Sequence, residues 1–330
     1  LETLSAVLAQ DATALRGGVA LLPAPGSVGQ LIERRLHKLS RDALRLARVA
    51  ALAGQDFSVE LAARVLCAHP LDLAEGWHEL EVAQIIRADG ESSAFAHDLI
   101  LETTLRTVPH AIARVMHKDI AEFLEAHGAQ PARIAGHYYE AEQWSKAGAH
   151  YRIAADRARS IAFGANAAEL YQRTADSFEK AGQRTERLDA MHWHGTCLHF
   201  MKRFSEYAAV AQKMSSLAVT PHERLWALTA LAKSRFEITH DDESIRLMRD
   251  ARLLSRELGD TPNECSLAEW EALALSFRGR QQEALEVGKT LRAFIEANPQ
   301  DNEMAMRRRQ YAYLLEMDNQ FEQAIDFADS

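Results

Sequence analysis

The stretch Thr220–Pro262, TPHERLWALTALAKSRFEITHDDESIRLMRDARLLSRELGDTP, opens and closes on a Thr-Pro step and decides the fold. Pro221 and Pro262 suit the first turn of a helix, where a missing amide donor is harmless, and Thr220 and Thr261 stand before them as N-caps. Between the two steps the chain reads as a first helix from Pro221 and a second from near Asp241, stopped at Gly259. The same unit recurs on either side. Second helices are predicted to begin near Asn166, Phe204, Gln281 and Gln320 as well, at spacings of 37 to 40 residues, and first helices near Thr185 and Asp301. Gly164, Gly182 and Asn298-Pro299 supply further breaks. Small and apolar residues one turn apart (Ala167-Leu170-Thr174, Ala284-Val287-Leu291, Ala324-Phe327) let neighbouring helices approach closely. A lone pair cannot bury its apolar stripe, so successive pairs must stack into a solenoid.

A helix-pair period of about 38 residues predicts tetratricopeptide-like repeats with slightly long helices, the ideal period being ~34. Such solenoids bind a protein or a small-molecule effector along a concave face lined by the first helices. Trp193, Trp226 and Trp270 all fall on first helices and are the candidate partner-binding residues. The plainer role for them is filling the core between helices.

The N-terminal third has a different order. Ser40 reads as the N-cap of a helix over Arg41–Ala53, with Gly54 as its stop, and Ser58 as the cap of a second over Val59–Cys67. His69-Pro70 breaks the pattern, a third helix runs from Leu71 to about Val82, and Gln84–Asp89 returns through Gly90-Glu91 to Ser93–Phe95 as a hairpin. Three helices and a hairpin are the order of a winged helix, here spanning 28–108. A DNA-reading third helix must offer Arg, Lys, Asn or Gln to base edges. This one carries Asp72, Glu75, Glu79 and Glu81 and no Lys or Arg, so direct nucleic-acid binding is not expected. Arg34, Lys38, Arg41, Arg45 and Arg48 form a basic stripe on the preceding segment, a candidate domain-contact surface if it is not simply a solvated face. The expected fold is therefore mainly α: a small winged-helix unit, then an α-solenoid over 109–330.

Composition agrees. Among 330 residues, 47% are hydrophobic and 26% charged, with only 16 Gly and 8 Pro, which favours a folded, helix-rich chain. The net charge of −9 is spread thinly, so no segment is a basic footprint for nucleic acid or a membrane surface. Three scattered cysteines make neither a disulfide framework nor a metal motif, no apolar run approaches the ~20 residues that span a bilayer, and a cytoplasmic location is expected. No GxxxxGK[ST], HExxH or GxSxG element occurs, so neither a catalytic residue nor a metal ligand is expected in this chain. His192, His194 and His199 do not share one helix face, and Arg307-Arg308-Arg309 points three ways. Leu1 in the place of Met, and a helical pattern still running at Ser330, lead us to expect a piece of a longer protein.

Four motifs in order extend the reading. They are Leu22-Pro23-Ala24-Pro25-Gly26-Ser27-Val28 with Leu31-Ile32 and Arg35-Leu36; Phe95-Ala96-His97-Asp98-Leu99-Ile100; Met116-His117-Lys118-Asp119-Ile120-Ala121; and Ala135-Gly136-His137-Tyr138-Tyr139-Glu140-Ala141. Together they resemble the region downstream of the ATPase core in bacterial STAND-class signal-transduction ATPases, including MalT-like and LuxR- or SARP-type transcriptional regulators. The resemblance covers 1 to about 180 in motif order and the rest only in architecture. It implies that residues 1–27 are the tail of an ATPase helical lid, that an upstream ATPase domain acts in cis, and that ATP or ADP is the cofactor of the full-length protein rather than of this chain. It also implies a role for His97, which resembles the histidine of the Met-His-Asp motif that senses the ADP β-phosphate in related switch ATPases. Asp98 would then cap or orient the following helix, and Leu101 departs from the pattern, standing where relatives often have Arg. Two other classes stay open beside this one: a repeat scaffold with no nucleotide switch, and a regulator that binds DNA through the winged helix.

Overall fold

The computed structural model describes residues 28–54, 57–89, 92–298, 304–318 and 320–329. Expectations that fall on 1–27, on the Gly90-Glu91 turn or on a helix start at Asp301 lie outside the described residues. Contacts divide the chain into two compact units, up to Phe123 and from Leu124 onward.

The first unit begins with α1 (Val28–His37), α2 (Arg41–Ala53) and α3 (Val59–Leu66). A 3-10 turn (Pro70–Leu73) and α4 (Ala74–Val82) follow, then β1 (Ile86–Asp89), β2 (Ser92–Phe95), α5 (Asp98–Arg106) and the start of α6 (His110–Ala126). Ser40 and Ser58 cap α2 and α3 through their hydroxyls, which accept from the amides of Ala43 and Leu61. The single helix expected over Leu71–Val82 is in fact two pieces. Pro70 starts a tight turn that His69 and Asp72 hold by a reciprocal capping box, and the α-helix begins only at Ala74. The strands pair antiparallel with Ile86 opposite Phe95. Leu46, Leu61, Leu80, Ile85 and Ile86 are wholly buried and tie the helices to the hairpin. Gly76 lies where α4 packs on α2, and a Cβ there would sit in contact with the Ala43 backbone at 3.4 Å. The acidic side chains on α4 have a local use: Glu79 accepts the Ser40 amide at 2.7 Å, so it supports the start of α2.

The second unit is an α-helical repeat solenoid. After α7 (Pro131–Glu140) come the pairs α8 (Trp144–Ile161) with α9 (Ala165–Lys180), and α10 (Arg184–Phe200) with α11 (Phe204–Leu217). They continue with α12 (Pro221–Thr239) and α13 (Asp242–Glu257), α14 (Thr261–Phe277) and α15 (Gln281–Ala297), and α16 (Met304–Met317) and α17 (Phe321–Asp329). Each helix packs on the next, and the first helices α10, α12, α14 and α16 also touch one another in sequence. That second set of contacts is what makes a stack of pairs rather than a bundle.

Two details show how the sequence sets this geometry. Gly148 on α8 and Gly195 on α10 face aromatic rings of the following second helix. A Cβ at those positions would lie 2.7 Å from Phe178 and 2.6 Å from Tyr207, so only glycine admits the ring. The Thr-Pro steps differ from each other. Thr220 caps α12 in a full capping box with Glu223, as expected. Thr261 does not cap α14; Asp260, one residue earlier, accepts the Asn263 amide, and Thr261 is already helical. A carboxylate is at least as good an N-cap as a hydroxyl and favours the positive end of the helix dipole, so it takes the position.

Candidate functional site

The first helices carry two kinds of charged residue, and the difference locates the site. Where one repeat meets the next, charges are fully engaged. Glu223 is buried and accepts from the amides of Val219 (2.8 Å) and Thr220 (2.9 Å), the Thr185 hydroxyl (2.9 Å) and Arg184 Nε (3.3 Å). Those bonds outweigh burial and hold its carboxyl at about 2. Glu271, also fully buried, accepts from Arg249 Nε (2.9 Å) and Arg252 Nε (2.7 Å). These carboxylates join one repeat to the next.

Half-buried polar and aromatic groups also recur along the first helices from α8 to α16. At the start of this run, Arg152 pairs with Asp156 (3.0 Å) and with Asp189, and the Arg159 guanidinium lies 4.0 Å over the Trp193 ring. Arg159 also donates to the Tyr171 hydroxyl (2.8 Å), which donates to Asp156 (2.5 Å). This end is saturated.

Farther along, it is not. His192 sits between the Trp193 and Trp226 rings, and its imidazole makes no hydrogen bond among the described residues. Burial, then the cations Lys233 and Arg152, push its pKa down to about 4, so the ring stays neutral. Lys233, seven residues after Trp226 on α12, has its Nζ 5.2 Å from the centroid of Trp270 on α14 and neither an ion pair nor a hydrogen bond among the described residues. Burial lowers its pKa to about 8, with Glu269 opposing the shift and Arg307 adding to it. Glu269 is itself pushed up by burial, against a hydrogen bond from Gln310 and the charges of Arg307 and Lys233. Arg307 Nη1 and Gln310 Oε1 are enclosed and have no partner among the described residues. His199 Nδ1 is 3.6 Å from Glu237, too far for a hydrogen bond.

The three tryptophans expected to meet a partner all stand along this run. Each is half-buried and packs on a core cluster, which is the plainer of the two roles considered for them. Lys233, His192, Glu269, Arg307 and Gln310 were not foreseen. The available signal was a lysine set in the apolar run Leu228–Phe236, where its neighbours predict burial.

In the first unit, His97 is exposed and is the N-cap of α5. Its Nδ1 accepts the Leu99 amide at 3.1 Å, while Asp98 occupies the first turn. With Nδ1 accepting, the neutral ring carries its proton on Nε2. The basic stripe separates into two behaviours. Arg34, Lys38, Arg41 and Arg45 are exposed, Arg45 lying 3.7 Å from Asp42, whereas Arg48 is half-buried and donates to Thr107 Oγ1 at 3.1 Å. The neighbouring Arg35, outside the expected set, donates to the Ala83 carbonyl.

Among the described residues no group of three His, Cys, Asp or Glu side chains is placed to hold a metal ion, and no helix is long and apolar enough to cross a membrane.

No family model matches the chain, and no curated protein matches it. Among solved structures it is similar to a Signal Transduction ATPase with Numerous Domains (STAND) protein with a tetratricopeptide repeat sensor from Pyrococcus horikoshii, at 11% identity and a TM-score of 0.40. That match covers 93% of this chain and 52% of the other, so this chain spans about half the length of that protein. It is also similar to two structures of putative kinesin light chain tetratricopeptide-like repeats from Podosopora anserina, at 13% and 12% identity with TM-scores of 0.31 and 0.30. Each of these covers 63% of this chain, and 92% and 93% of the other. Overlaps this low add nothing to the stacked helix pairs already described.

Proposed function

We propose that this chain is the effector-sensing and coupling part of a cytoplasmic STAND-class signal-transduction ATPase that acts as a transcriptional regulator. In this reading residues 1–27 end the ATPase lid, 28–108 form a winged helix, and the solenoid over 109–330 takes a protein or small-molecule effector on its concave face. The upstream ATPase is its partner in cis, and the chain itself performs no catalysis. The observation that carries the reading is the run of half-buried indoles and unsaturated polar groups along the first helices. A face that served only packing would saturate or omit such groups. The switch follows from the resemblance and from His97, whose Nε2 proton suits a phosphate oxygen of ADP. Effector binding shifts the winged helix relative to the ATPase and favours the open ATP state. This requires the effector to bind the open form more tightly than the closed one.

Calorimetric titration of the full-length protein with ADP, with and without His97→Ala, tests the switch. A loss of affinity of about tenfold or more is expected in the variant. Unchanged affinity in a folded variant removes His97 from the nucleotide and leaves the second reading, a repeat scaffold that binds through the same first-helix face and has no switch.

A further inference from the structure

We propose that Lys233 and Arg307, set against the Trp270 indole, form an anion subsite that takes the carboxylate or phosphate group of a small-molecule effector. This rests on the reading of the first-helix face as the effector site and adds the chemistry of what binds there.

The placement is built by three consecutive first helices. α12 supplies Lys233, α14 supplies Glu269 and Trp270, and α16 supplies Arg307 and Gln310. A count of donors and acceptors then defines what is missing. The Lys233 ammonium has three N–H donors and uses none of them on a described residue; only the face of Trp270, 5.2 Å away, answers its charge directly. The Arg307 guanidinium lies 5.1 Å over the Phe294 ring and bonds the Cys265 thiol, yet its enclosed Nη1 has no partner among the described residues. Glu269 is a carboxylate within electrostatic reach of both cations. It is already engaged by Gln310, and burial favours its protonated form. Lys233 and Arg307 therefore lie near an acid that Gln310 already engages, in a setting where His192 and His199 add no acceptor charge. An enclosed ammonium without a partner is strongly unfavourable, and a bound anion removes that penalty. Trp270 offers a flat apolar wall beside the charge, the usual makeup of a small-molecule site.

The test is a calorimetric titration of the chain with inorganic phosphate and with succinate at constant ionic strength, beside thermal melting in the same solutions. Neutral succinamide serves as the control. Saturable binding of phosphate or succinate, with a rise in Tm that succinamide does not produce, is expected. The anion that binds more tightly identifies the effector group as phosphate or carboxylate. Lys233→Met and Arg307→Gln should each weaken that binding about tenfold or more. Lys233→Met removes an unpaired charge, so it folds, and its own Tm should not fall; a structural lysine would lower it. The proposal is overturned if neither anion binds saturably, or if Lys233→Met binds as the native chain does. Trp226→Ala separates this failure from that of the effector reading. If Trp226→Ala abolishes the effector response of the full-length protein while Lys233→Met leaves anion binding intact, only the anion subsite fails. If neither substitution changes any response, both fail.

Discussion

Glu271 and Lys233 stand on neighbouring first helices, the one wholly buried and the other half-buried, and their surroundings are opposite. Glu271 meets two guanidinium donors and joins α13 to α14. Lys233 meets an indole face and, among the described residues, no hydrogen-bond partner. Glu223 repeats the Glu271 pattern at the preceding joint, and the His192 imidazole, like Lys233, makes no hydrogen bond among the described residues. Charge that is buried and saturated belongs to the joints between repeats. Charge that is buried and unsaturated belongs to the face the joints present. The difference separates what holds the solenoid together from what it is free to bind.

The comparison is best broken at its strongest term. Glu271→Ala leaves Arg249 and Arg252 without their acceptor and should lose about 3–5 kcal/mol in urea denaturation, the range for breaking a buried pair from one side. A loss below ~1 kcal/mol would mean that the joint does not depend on this carboxylate. Glu223→Gln keeps one acceptor but loses charge-assisted bonds to two amides and an arginine, and should lose about 2 kcal/mol. Its pH dependence has a fixed sign. The folded carboxyl is held at about 2 against an ordinary 4.5, so its stabilisation is complete above 4.5 and is lost as pH falls toward 2. The glutamine variant should show a shallower acid limb.

At Lys233 the sign reverses. Lys233→Met should leave stability unchanged or raise it by about 1 kcal/mol at neutral pH, because no partner is stranded by the change. The folded lysine titrates near 8 and the unfolded one near 10.5, so the unfolded state binds more protons between those values and native stability rises with pH across that window. The variant should lack this rise when the two denaturation series are compared. The smallest effect concerns His192, neutral in the fold down to about 4 against an ordinary 6.5. Stability should fall as pH drops from 6.5 toward 4, by about 1 kcal/mol near pH ~6, and His192→Phe should remove that fall. An acid limb identical in the phenylalanine variant would show that His192 is not held neutral.

Much of the architecture was legible in sequence because it is encoded locally. Thr220 and Glu223 are three residues apart and form their capping box whatever the neighbouring repeats do. The second helices expected at Phe204, Asp241 and Gln281 begin at Phe204, Asp242 and Gln281. Thr261 failed as a cap only because a better acceptor stood one residue away, and the helix over Leu71–Val82 divided because Pro70 permits a tight turn before it permits an α-helix. The site was less legible. The three tryptophans are candidates from their position on first helices, and the structure packs each on a core cluster. Arg307 was set aside, since three consecutive arginines point three ways on an isolated helix, and nothing in the run says which direction meets Glu269.

The sequence by itself determined the helices, most of their caps and the repeat length, because each depends on residues within a few turns of one another; the glycines that admit Phe178 and Tyr207 show their use only once the helices pack. Only the tertiary structure decided which charges are saturated. Lys233, Glu269 and Arg307 are separated by tens of residues and meet only because consecutive first helices lie side by side. Whether a buried charge is a joint or a vacancy depends on what the next repeat places opposite it.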